Sequence, residues 1–283
     1  MLLSSVKVKG VRLWSLVNEN VISEGGQTKL MFNDLENFKP DDKTIFVIGS
    51  SHAYRGYDPR IFKSAGIKLF NMGTSGQNMK DSYTLIKTNK SKIHSLIVDI
   101  YPGVLQEVTE ESTLMLIQNA NENQSALEFL KNNITINSIN NMTSRLFDLN
   151  PMPLPYQENY IYNGYVEKDI YFKIDTNLSY NKFIPGGNYK YLDSLLNFAS
   201  NNHIKTWLAS HPLKWNASYK NYYQNSYLPQ VQKILSKYPD IVFFDFTLNH
   251  SNSDSLFSDA SHLNQKGVNF YNKKLIEQIK SKN

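Results

Sequence analysis

Five short apolar runs separated by stretches of helical periodicity constrain this chain more than any other feature. The runs fall at 44–48, 67–70, 95–101, 205–210 and 241–246. Each has the length of a strand, and several are apolar almost throughout, as strands covered on both faces must be. Amphipathic helices fit 28–38, 59–64, 78–88, 188–201, 227–237 and 264–281. Strands alternating with helices in this way point to an α/β fold built on a parallel sheet.

The rhythm begins at residue 44, so 1–43 reads as a lead-in packed on a domain spanning 44–283. It breaks again over about 103–187, which holds one helix near 126–133 and the Pro-rich run Pro151-Met152-Pro153-Leu154-Pro155-Tyr156. Tyr160, Tyr162, Tyr165 and Tyr171 follow. This stretch is expected to be an insertion capping the C-terminal edge of the sheet, since long connections in compact domains often carry function. Its tyrosines either stack on a ligand or simply pack.

Composition removes several classes of function. The 283 residues include 41% apolar and 13% aromatic residues, enough for a full core. A net charge of +5 on scattered lysines, without an arginine stripe, argues against nucleic acid as a partner. There are no cysteines, which excludes disulfides, thiolate metal sites and a cysteine nucleophile. His203, His211 and His250 are spread out with no ligand-type spacing, so no metal and no other cofactor is expected. No run approaches the ~18 apolar residues of a membrane span. Met1–Lys7 lacks the apolar core of a signal peptide. The expected location is the periplasm or cell envelope if an anchor has been trimmed from the N-terminus, and the cytoplasm otherwise.

Three segments carry chemistry. Gly49-Ser50-Ser51-His52 follows the first strand, where glycine permits a sharp turn and a serine stands at the C-terminal edge of the sheet. The serines there serve either as helix caps or as a nucleophile. Asn71-Met72-Gly73-Thr74-Ser75-Gly76-Gln77-Asn78 follows the second strand, and its glycines allow backbone N–H groups to approach an oxyanion. Alternatively it is an ordinary loop with Asn78 as cap. Asp259-Ala260-Ser261-His262 precedes the last helix; an aspartate and a histidine three apart on a turn can reach one small volume, as base and orienting acid. Otherwise Ser261 or Asn264 caps that helix and His262 is a surface residue.

Taken in this order, the three segments resemble the SGNH (GDSL-type) hydrolase superfamily, and in particular its bacterial envelope branch associated with acyl transfer to polysaccharides. The resemblance covers about 44–102 and 186–281. It implies a three-layer α/β/α sandwich with a five-stranded parallel sheet in flavodoxin-like order. It matches Ser51 to the nucleophile, in preference to Ser50, and Asp259 and His262 to the other members of a triad. The N–H groups of Ser51 and Gly76 match the oxyanion donors. The family's third block, Gly-x-Asn-Asp, is missing. Here the third strand ends Val98-Asp99-Ile100-Tyr101-Pro102-Gly103, without the asparagine that would supply a further donor.

His52 and Arg55, close behind Ser51, and Asp99 and Tyr101, at the end of the third strand, are the candidate substrate-binding residues. Arg55 could instead pair with Asp58 or Asp99 in the scaffold. The expected activity is that of a serine esterase or O-acyltransferase. Its partner would be an acylated, chiefly acetylated, carbohydrate or another ester, and the envelope branch is compatible with a membrane-bound acyl-transfer partner. The alternative is a non-catalytic carbohydrate- or partner-binding protein on the same scaffold. A third class, a flavin- or phosphate-binding flavodoxin relative, would place its ligand at the Gly49–Ser51 loop.

Overall fold

The structure is a computed structural model and describes residues 7–8, 11–12, 26–106, 109–149, 159–168, 188–249 and 254–282. Its sheet contains β1 (Thr44–Ile48), β2 (Lys68–Asn71), β3 (Ser95–Asp99), β4 (Lys205–Ser210) and β5 (Val242–Asp245). All neighbours pair in parallel, in the order β2-β1-β3-β4-β5. This is the flavodoxin-like arrangement, which brings every strand's C-terminus to one edge with a topological switch between β1 and β3. A two-residue antiparallel pair, Lys7–Val8 with Val11–Arg12, stands apart from the sheet.

The helices are α1 (Gly26–Asn37), α2 (Ser51–Gly56), α3 (Pro59–Ser64), α4 (Met79–Thr88), α5 (Pro102–Gln106), α6 (Glu111–Asn119), α7 (Asn123–Leu130), α8 (Ile136–Leu146), α9 (Tyr189–Asn201), α10 (Ala217–Tyr222), α11 (Leu228–Leu235) and α12 (Gln265–Ser281). Strand side chains alternate between two cores, as their period of two requires. Phe46 and Ile48 join Met31 and Leu35 of α1, Leu85 of α4 and Leu195 of α9 on one face. Ile45 and Val47 join Ala53 of α2, Phe62 of α3 and Leu275 of α12 on the other. The result is three layers. Among the described residues no helix is long and apolar enough to cross a membrane.

Side-chain caps fix the helix starts nearest the sheet's functional edge. Asn78 accepts from the Asp81 N–H at 2.9 Å, and Asn264 from the Gly267 N–H at 3.0 Å. Such caps contribute about 1 kcal/mol each. The third strand ends at Asp99, short of 101, because Pro102 opens α5. The helix expected over 227–237 is preceded by a π-turn, Tyr223–Tyr227, that joins it to α10.

The insertion differs from the single-helix cap read in the sequence. Residues 109–149 form α6, α7 and α8, which pack on one another and on α1 and α4, beside the sheet. Buried Asp81 of α4 anchors them. Ser112 and Thr113 of α6 donate to its Oδ2, and Asn132 donates to its Oδ1 at 2.9 Å. The insertion reaches the C-terminal edge where the Thr109 hydroxyl donates to the Gly76 carbonyl at 3.0 Å. Residues 159–168 cover the open edge of β2, with the Asn71 N–H donating to the Asn163 carbonyl at 2.8 Å. Tyr160 and Tyr165 are buried there, donating to Asp34 and Gln265. The Pro-rich run 151–155, Tyr156, Tyr171 and His250 lie outside the described residues.

Asn272 of α12 is wholly buried; its Oδ1 accepts from the Asp58 N–H at 2.8 Å and its Nδ2 donates to the Gly56 carbonyl at 2.6 Å. Asn272→Ala would orphan both backbone groups, a loss of about 2–6 kcal/mol at about 1–3 kcal/mol per group. Chemical denaturation should show a lower midpoint with an unchanged slope. A midpoint equal to that of the wild type would contradict this role.

Candidate active site

The turn after β1 is possible only with glycine at position 49. Gly49 has φ +151°, and a Cβ there would lie 2.8 Å from the Asp99 Cβ and 3.0 Å from the Ala53 Cβ. Its N–H donates to Gln77 Oε1 at 2.9 Å, and Gln77 Nε2 donates in turn to the Met72 carbonyl at 2.9 Å. Asn71 makes a second clamp. Its Nδ2 donates to the Ala53 carbonyl at 2.7 Å, while its Oδ1 accepts from the Gly73 N–H at 3.0 Å. The loops after β1 and β2 are therefore fixed to each other. Gly73 lies against α2, since a Cβ on it would come within 2.8 Å of the Tyr54 nitrogen.

The two serines of this turn divide into separate roles. Ser50 is buried and is the N-cap of α2, its Oγ accepting from the His52 N–H at 3.4 Å. Ser51, the first helical residue, is half-buried, and its Oγ lies 2.8 Å from His262 Nε2.

The loop before α12 shapes the other half. The Ser258 N–H donates to the His262 carbonyl at 2.9 Å, closing the turn. Asp259 Oδ1 accepts from the Ser261 and His262 N–H groups, both at 2.9 Å, and His262 Nδ1 lies 2.9 Å from each Asp259 oxygen. The spacing of three lets one carboxylate cap the turn and hold the ring. Ser51, His262 and Asp259 thus form a continuous hydroxyl–imidazole–carboxylate chain across 211 residues of sequence.

Electrostatics keeps the imidazole neutral. Burial lowers the His262 pKa; Asp259 opposes that by hydrogen bond and charge, Arg55 and His211 add to it, and the net shift is below the ordinary 6.5. Burial pushes the Asp259 carboxyl upward, but its hydrogen bonds from His262 and the two backbone N–H groups outweigh it and leave the pKa well below 3.8. A neutral imidazole beside an ionised acid is the state that can accept a proton from a hydroxyl.

The remaining candidates surround this chain at different depths. The His52 ring is buried, its centroid 4.8 Å from that of His262, 4.3 Å from that of His211 and 4.0 Å from that of Tyr101. Arg55 is half-buried with its guanidinium carbon 5.2 Å from the Tyr54 ring centroid. Asp58, considered as its scaffold partner, pairs with Arg60 instead, at 2.6 Å. Asp99 is fully buried and its Oδ2 accepts from the Tyr57 hydroxyl at 2.7 Å. Tyr101 lies just beyond β3, its ring against that of His52. Gly76 has φ +58° and packs against Thr109 and Glu111 of the insertion.

Sequence reading gave Asn71 and Gln77 no role and set His211 aside for want of a ligand-type spacing. Each acts through a partner distant in sequence, and none carries a local signal beyond its residue type.

No protein-family model matches the chain, and no curated protein matches it. Solved structures similar to it include the psychrotrophic esterase EstA from Pseudoalteromonas sp., at 10% identity over 85% of this chain and 98% of that one, with a TM-score of 0.48. A GDSL-like lipase from Bacteroides thetaiotaomicron VPI-5482 is 13% identical over 90% of this chain and 98% of its own, with a TM-score of 0.42. An acetyl xylan esterase, AlAXEase, is 13% identical over 83% of this chain and 99% of its own, with a TM-score of 0.44. At such values no residue's role passes from them to this chain.

Titration of His262 followed by NMR should give a midpoint below 6.5. Asp259→Asn should move it further down, because the carboxylate raises the imidazole pKa. A midpoint above 6.5 in the wild type, or an upward shift in the variant, would contradict the electrostatic account.

Proposed function

We propose that the chain is an SGNH-type serine esterase or O-acyltransferase acting on O-acylated carbohydrate. The observation that carries this reading is the 2.8 Å approach of the Ser51 hydroxyl to a His262 ring held by Asp259. The carbohydrate part rests on the sequence resemblance to the envelope branch.

In this mechanism Ser51 Oγ attacks the acyl carbonyl carbon as its proton passes to His262 Nε2. The N–H groups of Ser51 and Gly76 receive the negative charge on the carbonyl oxygen. The tetrahedral intermediate collapses, the ester C–O bond breaks, and His262 returns the proton to the departing sugar oxygen. Water or a second sugar hydroxyl then attacks the acyl-enzyme, giving its proton to His262, and Ser51 is released. Asp259 holds the ring's orientation and stabilises the imidazolium without taking up a proton. Without the family's third-block asparagine the site has one donor fewer, a difference worth about 10²–10³ in rate. That counts against efficient general hydrolysis and leaves a slow, specialised or inactive enzyme.

A fluorophosphonate probe should label one site, Ser51, with labelling abolished in Ser51→Ala and in His262→Ala. Release of acetate from acetylated oligosaccharides, or its transfer to an unacetylated one, should fall by about 10⁶-fold in Ser51→Ala. Absence of labelling and turnover, with oligosaccharide binding retained, would contradict the enzyme and leave a binding protein. Arg55 of α2, whose charge acts on His262, is the side chain to which this reading gives the anchoring of the substrate. Arg55→Ala should raise KM about tenfold with kcat within about threefold. A fall in kcat at constant KM would reject that anchoring role.

A further inference from the structure

A second group of functional side chains lies beneath the Ser51 turn. His52 of α2, Asp99 at the end of β3 and His211 just after β4 are 3%, 0% and 2% exposed. One potential ligand atom from each lies within 4.8 Å of the others. His52 Nδ1, Asp99 Oδ1 and His211 Nδ1 have no hydrogen-bond partner among the described residues. A buried polar atom left unpaired costs about 1–3 kcal/mol, and a carboxylate more. Three neighbouring residues that each carry such an atom call for a common partner.

The far side of two of these groups is already fixed. Tyr57 donates to Asp99 Oδ2 at 2.7 Å and shares a 2.9 Å hydrogen bond with the Tyr271 hydroxyl, leaving Oδ1 available. His211 Nε2 lies 3.1 Å from the Ser261 carbonyl. A carbonyl only accepts, so Nε2 carries the proton and Nδ1 of the neutral ring keeps its lone pair. Histidines that bind metals are typically held in this way, with a carbonyl or carboxylate on the second nitrogen. Direct pairing of His211 with Asp99 does not close the gap, since Nδ1 stands 3.7 Å from Oδ2, beyond hydrogen-bond range.

We propose that His52, Asp99 and His211 bind one divalent transition ion of the zinc class. Two imidazoles and one carboxylate form a donor set that suits such an ion. Bonds of about 2.0–2.2 Å place tetrahedral ligands roughly 3.3–3.5 Å apart, so shifts of about 1 Å complete the site. The Asp99 charge offsets half of the ion's, while the Arg55 guanidinium, whose field reaches His52, opposes it. The ion would tie the ends of β3 and β4 to the first turn of α2, directly below Ser51. This site is independent of the acyl-transfer reading.

The test is metal binding by the full chain after chelator treatment. Zinc alone, titrated in a calorimeter, should bind at one equivalent with a Kd of about 1 µM or tighter, and cobalt(II) should give a visible d–d band. His211→Gln and Asp99→Asn should each weaken binding about a hundredfold or more, with the far-ultraviolet circular dichroism of the wild type. Zinc should raise the Tm of the wild type and leave that of His211→Gln unchanged. Should Asp99→Asn fail to fold, His211→Gln carries the same comparison. No binding up to about 100 µM, which leaves only a water among the three groups, would overturn the proposal. Equally, wild-type affinity in His211→Gln would place the ion elsewhere and overturn it. Neither arm needs turnover, so failure here is distinct from failure of the esterase reading.

Discussion

Everything at the sheet's functional edge depends on how α12 is held against α2 and α3. The parallel order β2-β1-β3-β4-β5 brings the C-termini of the strands to one edge, but Ser51 and His262 still arrive on segments 211 residues apart. Asn272 closes that distance by satisfying the backbone between α2 and α3 from the side of α12. Gln265 and Arg60 both bond Asp58 at the same junction, and the Tyr57–Tyr271 hydroxyl pair lies behind it. These contacts are buried and polar, so they are specific in geometry as well as favourable in energy. A terminal helix held by apolar packing alone could slide by a fraction of a turn and carry His262 out of reach.

The same edge concentrates strain and desolvation. Gly49 adopts a backbone conformation closed to other residues because Asp99 and Ala53 crowd the space beside it. Burial lowers the pKa of His52 well below 6.5, with further lowering from His211, His262 and Arg55. The neutral rings of His52 and His262 therefore stand between Asp259 on the exposed side and the wholly buried Asp99. The two acids differ in their surroundings. Asp259 is tied to its own turn and to His262, whereas Asp99 keeps one oxygen unpaired beneath the serine.

Much of this was legible in the sequence because it is local. The strands appear within two residues of where apolar runs place them, and β4 and α3 coincide with the expected 205–210 and 59–64. Asn78 and Asn264 cap the helices that follow them. Ser51, Asp259 and His262 stood out because a serine after a strand and an acid three before a histidine are short patterns on predictable turns. The clamps Asn71, Gln77 and Asn272 did not, since their partners lie elsewhere in the chain and asparagine and glutamine are common here. The insertion's helices were only partly visible. α8 has four asparagines and serines within its first six residues, and its expected signature is masked by that composition. His211 gave no spacing signal, because its neighbours His52 and Asp99 come from two other strand ends.

One structure bears most directly on the central claim, that a hydroxyl near the start of the chain and an imidazole near its end act on the same acyl group. It is a crystal structure of the chain after reaction with a phosphonate ester. The account predicts phosphorus bonded to Ser51 Oγ, His262 Nε2 within hydrogen-bond distance of the adduct, and the phosphoryl oxygen facing the Ser51 and Gly76 N–H groups. Phosphorus on another residue, or an adduct on Ser51 with the His262 ring turned away from it, would contradict the account.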